Sequence, residues 1–402
     1  MTPPKISYAK TVYGKNEIRA VVNCLKKSTQ MGKNTRNFEI KIAKLFKKKY
    51  CLFTNSGSSA LYLALESLDF PKGSEVITPA LTFSTSVGCL VKNSLIPSFV
   101  DVKENTYCID VNKIEQMITK KTVAILAPNL MGNICEWDKI SKIAKKYNLV
   151  TIEDSADTIG AKLNSKSTGY YSDISITSFY GSHIINCAGN GGALCLNNQK
   201  VKNKAKLLRS WGRSSSLYDE NSEKIENRFN IKLDGIDYDK KFVFEEIGYN
   251  YEGSEIGAAF GLEQLKNLNT YIKARKENFK LQTSFFNSYN NYFTTPNENK
   301  RASTAWLAYP LLIKKNNKFT RKDFQIFLEK NNIQTRVVFT GNILRQPAFK
   351  NIKKRASKNG YPNSDNVMKN GLLLPVHHGM TKSMFKHFHK SIKKFIESRN
   401  LK

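Results

Sequence analysis

Ser178 and His183 bracket the stretch SFYGSH, and glycines at 189, 191 and 192 follow closely. A histidine titrates near pH 6.5, so an imidazole on a loop can move protons at neutral pH. A lone histidine after a strand also serves as an ordinary structural group, and the glycines by themselves mark only close backbone packing. Upstream, VTIEDSAD closes an apolar run on Asp154, with Asp157 three positions later. A buried carboxylate needs a strong partner. That partner is a helix N-terminus, a cation of the protein, or the protonated ring nitrogen of a bound cofactor. NSGSSA (55–60) has the makeup of a phosphate cup. In such a cup Gly57 lets the backbone approach an anion, while Ser58 and the first amides of the next helix donate hydrogen bonds. The same residues also make a plain helix cap.

These groups depend on the segments that carry them. YCLFT, EVITPA, SFVDV, TVAILAP, LVTIEDS, ISITSFY and GALCLNN are short apolar runs rich in Val, Ile and Thr, and helix-like stretches such as WDKISKIAKKYN separate several of them. Residues 38–49 place Phe38, Ile42, Leu45 and Phe46 at helical spacing. Strand–helix alternation predicts an α/β fold with a mainly parallel sheet covered on both faces. Ligands then bind in loops at the carboxyl ends of the strands. Residues 214–245 are polar and irregular and read as a long surface excursion. From about residue 255 the chain turns helical, then α+β, with strands expected at AYPLLI and TRVVF and a last helix over 382–398. The expected division is a large unit, 1–255, and a smaller one, 256–402.

With 402 residues, 40% of them hydrophobic, the chain is long enough for a sizeable core. The net charge of +31 is spread along the whole length without any nucleic-acid-binding module. It reads as solvated surface, or as attraction for an anionic substrate. Seven cysteines in apolar contexts, with no CxxC spacing, imply reduced thiols and no metal site. No apolar run reaches the roughly 18–20 residues of a membrane span. The first residues lack a secretory core, so a cytoplasmic protein without membrane or nucleic-acid partners is expected.

Taken in order, the NSGSSA cup, Phe83 in TPALTF, the acid of IEDSAD, the Ser-x4-His loop and GYNYEGSEIGAAFGLEQL resemble the DegT/DnrJ/EryC1/StrS family of nucleotide-sugar aminotransferases. That family has the aspartate-aminotransferase fold (fold type I of the pyridoxal-phosphate enzymes), and the likeness covers nearly the whole chain. It implies that Gly57, Ser58 and Ser178 hold the cofactor phosphate. Phe83 would stack on the pyridine ring and Asp154 would pair with its protonated nitrogen. Asn250 would reach the phosphate of a neighbouring subunit, which implies a homodimer with shared sites.

The family's lysine, which binds the cofactor covalently, stands five positions after the serine, and here that position is His183. No lysine lies between Lys166 and Lys200. An imidazole forms no stable Schiff base yet still moves protons. This substitution resembles the branch that removes the 3-hydroxyl of nucleotide-activated 4-keto-6-deoxyhexoses with pyridoxamine phosphate. Asp157, where aminotransferases carry glutamine, and TRVVFTGNILRQPAF (335–349) resemble the same branch. The resemblance makes His183 the proton-transfer base, with Arg336 and Arg345 as candidate ligands of the substrate's diphosphate. Some members of the branch bind an iron–sulfur cluster through cysteines after a WGR segment, but residues 211–230 contain none. L-glutamate is therefore the expected amino donor. The competing readings are a nucleotide-sugar aminotransferase, a cofactor-binding homologue without activity, and a basic nucleic-acid-binding protein.

Overall fold

The computed structural model describes the backbone of residues 4–223, 225–315 and 318–400, and their side chains except those of 219–223 and 227. Seven of its strands form the central sheet. They are β1 (Tyr50–Thr54), β2 (Glu75–Pro79), β3 (Ile96–Val100), β4 (Thr122–Pro128), β5 (Val150–Asp154), β8 (Ile174–Ser178) and β9 (Gly192–Leu196). A small hairpin, β6 (Lys162–Leu163) and β7 (Lys166–Ser167), lies between β5 and β8. The sheet order is β1-β9-β8-β5-β4-β2-β3. All neighbours from β8 to β3 pair in parallel, and β9 runs antiparallel to both β1 and β8. The seven apolar runs from YCLFT to GALCLNN all lie in this sheet.

Alternation along the strands divides the core into two layers, because successive side chains point to opposite faces. Leu52, Leu126, Ile152, Ile176 and Leu194 pack on one side. They meet Leu61, Ala64 and Leu65 of α3 (Gly57–Leu68), Leu90 of α4 (Ser84–Lys92) and Leu208 of α6 (Gln199–Arg209). Ile77, Ile125 and Ala127 face the other side, against Trp137 and Ile140 of α5 (Trp137–Lys146). There too Phe53 and Cys195 meet Phe38 and Ile42 of α2 (Lys33–Leu45), which follows α1 (Lys15–Leu25). Phe38, Ile42 and Phe46 are buried as their spacing predicted, while Leu45 is only partly so. Each such aliphatic side chain, fully buried, stabilises the fold by about 1.5–3 kcal/mol relative to exposure.

After β9 the chain does leave the sheet. Residues 214–245 run over the surface through the short helix α7 (Ile225–Arg228) and a hairpin of β10 (Ile231–Leu233) and β11 (Ile236–Tyr238). The hairpin was not expected. Its turn is Asp234–Gly235, both with positive φ (47° and 85°), the backbone that an Asp-Gly pair favours between strands. Phe242 and Phe244 of this excursion, and Ile247 just after it, are exposed.

Helices α8 (Glu255–Lys266) and α9 (Leu268–Asn287) then lead to a second sheet. Its strands β12 (Phe293–Thr294), β14 (Tyr309–Ile313), β15 (Arg336–Val337) and β16 (Gly371–Leu374) take the order β12-β14-β16-β15, while β13 (Ala302–Ser303) joins β6 and β7 in a separate small sheet. Helices α10 (Arg321–Lys330), α11 (Pro362–Asn370) and α12 (Lys382–Ser398) complete this part around Phe286, Phe293, Tyr309, Phe324 and Phe395. TRVVF is a strand for only two residues, since Phe339 turns to φ 44° and breaks the extended run. The N-terminal Ile6 belongs to this second core.

Candidate active site

A cavity of about 460 Å³ opens at the carboxyl ends of the central strands, among them the ends of β5 and β8. Its size suits a small-molecule cofactor site. Gly57, Ser58, Phe83, Asp154, Asp157, Ser178 and His183 all line it, although they come from distant parts of the chain.

At one end α3 begins directly after β1. Ser56 is its N-cap, its hydroxyl accepting from Ser59 N at 3.1 Å, and Ser59 Oγ donates to Asn55 Oδ1 at 2.6 Å. The capping serine is therefore engaged, and the first-turn amides of Gly57 and Ser58 form the open donor end of the helix. Ser178 closes β8 against this turn. A Cβ on Gly57 would lie 2.8 Å from Ser178 Cβ, and one on Gly192 would lie 2.2 Å from the Ser56 carbonyl carbon. Only glycine permits both approaches. The result is an anion-seeking cup built by three chain segments.

The other end seeks a cation. Asp154, the last residue of β5, is buried, and its carboxylate accepts from Ser86 Oγ at 3.0 Å and Ala156 N at 3.1 Å. Among the described residues no cation accompanies it. Burial lifts its pKa from 3.8 to about 6. Asp157 accepts from Met131 N at 2.9 Å, and burial together with the Asp154 charge pushes it up to about 7. Phe83 is 49% exposed on the cavity wall, edge-on to Phe339 at 5.6 Å between ring centroids. A phosphate-seeking cup, an exposed aromatic and an uncompensated buried carboxylate fit a phosphorylated pyridine with a protonated ring nitrogen.

His183 stands on the loop joining β8 to β9. That loop closes on itself: Phe179 N donates to Gly191 O and Gly181 N to Gly189 O, both at 2.8 Å. The imidazole Nδ1 lies 3.2 Å from the Ser178 carbonyl. A carbonyl only accepts, so Nδ1 carries the proton and the lone pair of the neutral ring is on Nε2. Burial, with a smaller contribution from the Arg275 charge, lowers its pKa from 6.5 to about 4. The imidazole is neutral at pH 7. No lysine lines the cavity among the described residues.

Three sequence candidates lie outside the cavity lining. Asn250 is exposed, with its carbonyl accepting from Asn55 Nδ2 at 3.2 Å. Arg345 forms a two-pronged ion pair with Asp365, Nε to Oδ1 at 2.6 Å and Nη2 to Oδ2 at 2.7 Å. Arg336 is exposed, and its guanidinium lies 5.6 Å from the centroid of the Tyr8 ring. Sequence reasoning missed Tyr8, Ser86, Asn129, Tyr180 and Phe339, all of which line the cavity. Of these, Phe339 lies in the segment 335–349 and Tyr180 in SFYGSH, while the other three stand outside every quoted motif.

All seven cysteines are buried and unpaired. Among the described residues no three His, Cys, Asp or Glu side chains gather as a metal site. No helix among them is long and apolar enough to cross a membrane.

Comparison with known proteins agrees with the geometry. The chain is 33% identical over 354 residues to the lipopolysaccharide biosynthesis protein RfbH of Salmonella typhimurium, covering 86% of this chain and 80% of that protein. It is 32% identical over 375 residues to the dTDP-4-dehydro-2,6-dideoxy-D-glucose 3-dehydratase of Saccharopolyspora spinosa, covering 91% and 80%. Among solved structures it is similar to a GDP-4-keto-6-deoxymannose-3-dehydratase with a trapped PLP-glutamate geminal diamine. That likeness has 26% identity and a TM-score of 0.84, over 96% of this chain and 99% of that one. The model of the DegT/DnrJ/EryC1/StrS aminotransferase family matches residues 12–393, and the chain belongs to this family.

Proposed function

We propose that this protein is a pyridoxamine-phosphate-dependent 3-dehydrase of a nucleotide-linked 4-keto-6-deoxyhexose. The observation that carries the reading is a neutral imidazole, in place of any lysine, on the wall of the cavity that holds the buried Asp154. Two of the 3-dehydratases among the relatives support it, with 32% and 26% identity over almost the whole chain.

Bound pyridoxamine phosphate supplies an amine that condenses with a keto group and a ring that accepts electrons. Gly57, Ser58 and Ser178 would hold its phosphate, Phe83 would lie against its ring, and Asp154 would keep the ring nitrogen protonated. A cation there also relieves the buried Asp154 and Asp157 charges. Nε2 of His183 would take the proton from the carbon that bears the amine. A neutral imidazole with its lone pair on Nε2 is ready for that task at pH 7. Loss of the sugar's 3-hydroxyl as water would draw its two electrons from the amine-bearing carbon, hydrolysis would release the amine nitrogen as ammonia, and the site would then admit L-glutamate to restore the amine. The solved relative with PLP and glutamate trapped together supports that donor. Since residues 211–230 hold no cysteine, no cluster-bound electron route is invoked.

Residues 1–255 would form the cofactor-binding unit and 256–402 the smaller one, with Ile6 reaching across. Arg336 and Arg345 would meet the anionic tail of the substrate, Arg345 after leaving Asp365. Asn250 would act towards a second copy of the chain in a homodimer. The reading also places the protein in the cytoplasm, in the supply of deoxysugars for a surface polysaccharide. The name of the Salmonella relative supports that last step.

The test is incubation of the protein, pyridoxamine phosphate and glutamate with GDP-, CDP-, dTDP- and UDP-linked 4-keto-6-deoxyhexoses, read by mass. Loss of the 3-oxygen supports the reading. An amino sugar as product would make the protein an aminotransferase instead.

A further inference from the structure

The N-terminal segment closes one side of the cavity. Ile6 forms a bridge with Ile333, its N donating to Asn332 O at 2.8 Å and its carbonyl accepting from Gln334 N at 2.9 Å. The Ser7 carbonyl lies 3.2 Å from His377 Nε2, and Tyr8 N donates to Gln334 Oε1 at 3.1 Å. Further along, Thr11 Oγ1 donates to the Gly181 carbonyl, two residues before His183, and the Val12 carbonyl accepts from Gln264 Nε2 at 3.1 Å. This strap is pinned at one end to the second sheet and at the other to the imidazole loop. Tyr8 sits between the pins.

The Tyr8 ring lines the cavity beside Asp157 and His183. Its phenol feels the Asp157 carboxylate and, with opposite sign, the guanidiniums of Arg275 and Arg336. Arg275 lies fully buried behind the wall, where its Nη1 donates to the carbonyls of Trp306 and Leu307 at 3.0 and 2.9 Å. Leu307 is itself part of the lining. Burial raises the phenol's pKa above its ordinary value, so it keeps its proton throughout the working range. Among the described residues the Tyr8 hydroxyl has no hydrogen-bond partner. A protonated O–H on the wall of a reaction cavity, without a partner in the protein, is free to donate to a ligand, and the oxygens of a sugar ring supply acceptors. The exposed Arg336 beyond it suits the anionic part of the same ligand.

Resting on the function proposed above, we propose that Tyr8 contacts the substrate, its O–H donating a hydrogen bond to a hydroxyl or keto oxygen of the nucleotide-linked sugar. It binds and orients, and it takes no part in proton transfer. Cofactor binding does not depend on it.

The test is Tyr8→Phe, which removes one oxygen that has no protein partner and leaves the ring in place. Both holoenzymes are titrated calorimetrically with the four nucleotide-linked 4-keto-6-deoxyhexoses, and turnover is followed where it occurs. Expected is a loss of about 10-fold to 100-fold in sugar affinity or kcat/KM, with the cofactor's absorbance, its affinity and the melting temperature unchanged. A variant that binds and turns over like wild type overturns the inference. If wild type binds these sugars without removing the 3-oxygen, the 3-dehydrase reading falls, and the affinity ratio still decides the role of Tyr8. If wild type binds none of them, both fall together.

Discussion

Asp154→Asn should make the cofactor-free protein more stable near neutral pH and less able to hold its cofactor. The wild-type carboxylate is buried with two hydrogen bonds and, among the described residues, no cation. Its pKa rises from 3.8 to about 6 on burial. At about 1.4 kcal/mol per unit, the charge costs the empty fold about 3 kcal/mol. The sign follows from proton affinity: the folded protein holds this proton more tightly than the unfolded chain. The cost is therefore absent near pH 3, grows as pH rises through about 6, and is constant above. An asparagine can still accept from the Ala156 amide, and its Nδ2 can donate to Ser86 Oγ. Asp157, lifted partly by the Asp154 charge, gains as well. Denaturant unfolding without cofactor, near pH 7.5 and near pH 4, reads the effect. The expected gain is up to about 3 kcal/mol at the higher pH and near zero at the lower. Titration with pyridoxamine phosphate should show at least a 10-fold weaker complex, since the ring proton loses its counter-charge. A variant less stable than wild type at both pH values would refute the reasoning and make Asp154 a structural acceptor.

His183→Asn should abolish loss of the 3-hydroxyl while leaving the cofactor's absorbance on titration close to wild type; undiminished turnover would remove the imidazole from the chemistry. His183→Lys should give a protein in which borohydride fixes pyridoxal phosphate covalently, detected by mass. Because burial depresses the His183 pKa to about 4, the unfolded chain takes up this proton first as acid is added. The histidine's contribution is thus full above pH 6.5 and is lost as pH falls toward 4. Wild type should therefore lose more stability than His183→Asn between pH 6.5 and 4.5. Gly192→Ala sets a methyl against the Ser56 carbonyl, so it should cost about 2–3 kcal/mol of stability and weaken phosphate binding, as measured by unfolding and by cofactor titration.

Much of the large sheet was legible because its signals are local. Each of the seven apolar runs is short, bounded by turn residues and buried on both faces, which is what a covered parallel sheet demands. The lining residues Gly57, Asp154 and Ser178 could be named because each sits at a strand end or helix start, where ligands bind in such folds, and His183 because it follows Ser178 on the same loop. Tyr8 carries no comparable mark. Its place depends on Ile6 pairing with Ile333, a contact across more than three hundred residues that no periodicity encodes. The reduced strand at TRVVF was illegible for a related reason: Phe339 adopts φ 44° although β-type residues surround it. Thr340 Oγ1, bound to the Thr82 carbonyl at 2.6 Å, and Ile343 N, bound to Ala80 O at 2.9 Å, draw that loop to the cavity. Arg345 shows the opposite limit, since the sequence could not reveal that Asp365 already holds its fork.

The reversal of β9 has a wider meaning. Because the chain returns beside β8 at once, His183 hangs from a closed bight whose two feet, Ser178 and Gly192, stand side by side. Its later residues Ile184, Ile185 and Cys187 anchor it against Ala258 and Leu268, apart from the position that His183 occupies. On the proposed reading, an imidazole can stand in that bight where an amine would, and the paired strands beneath it stay as they are.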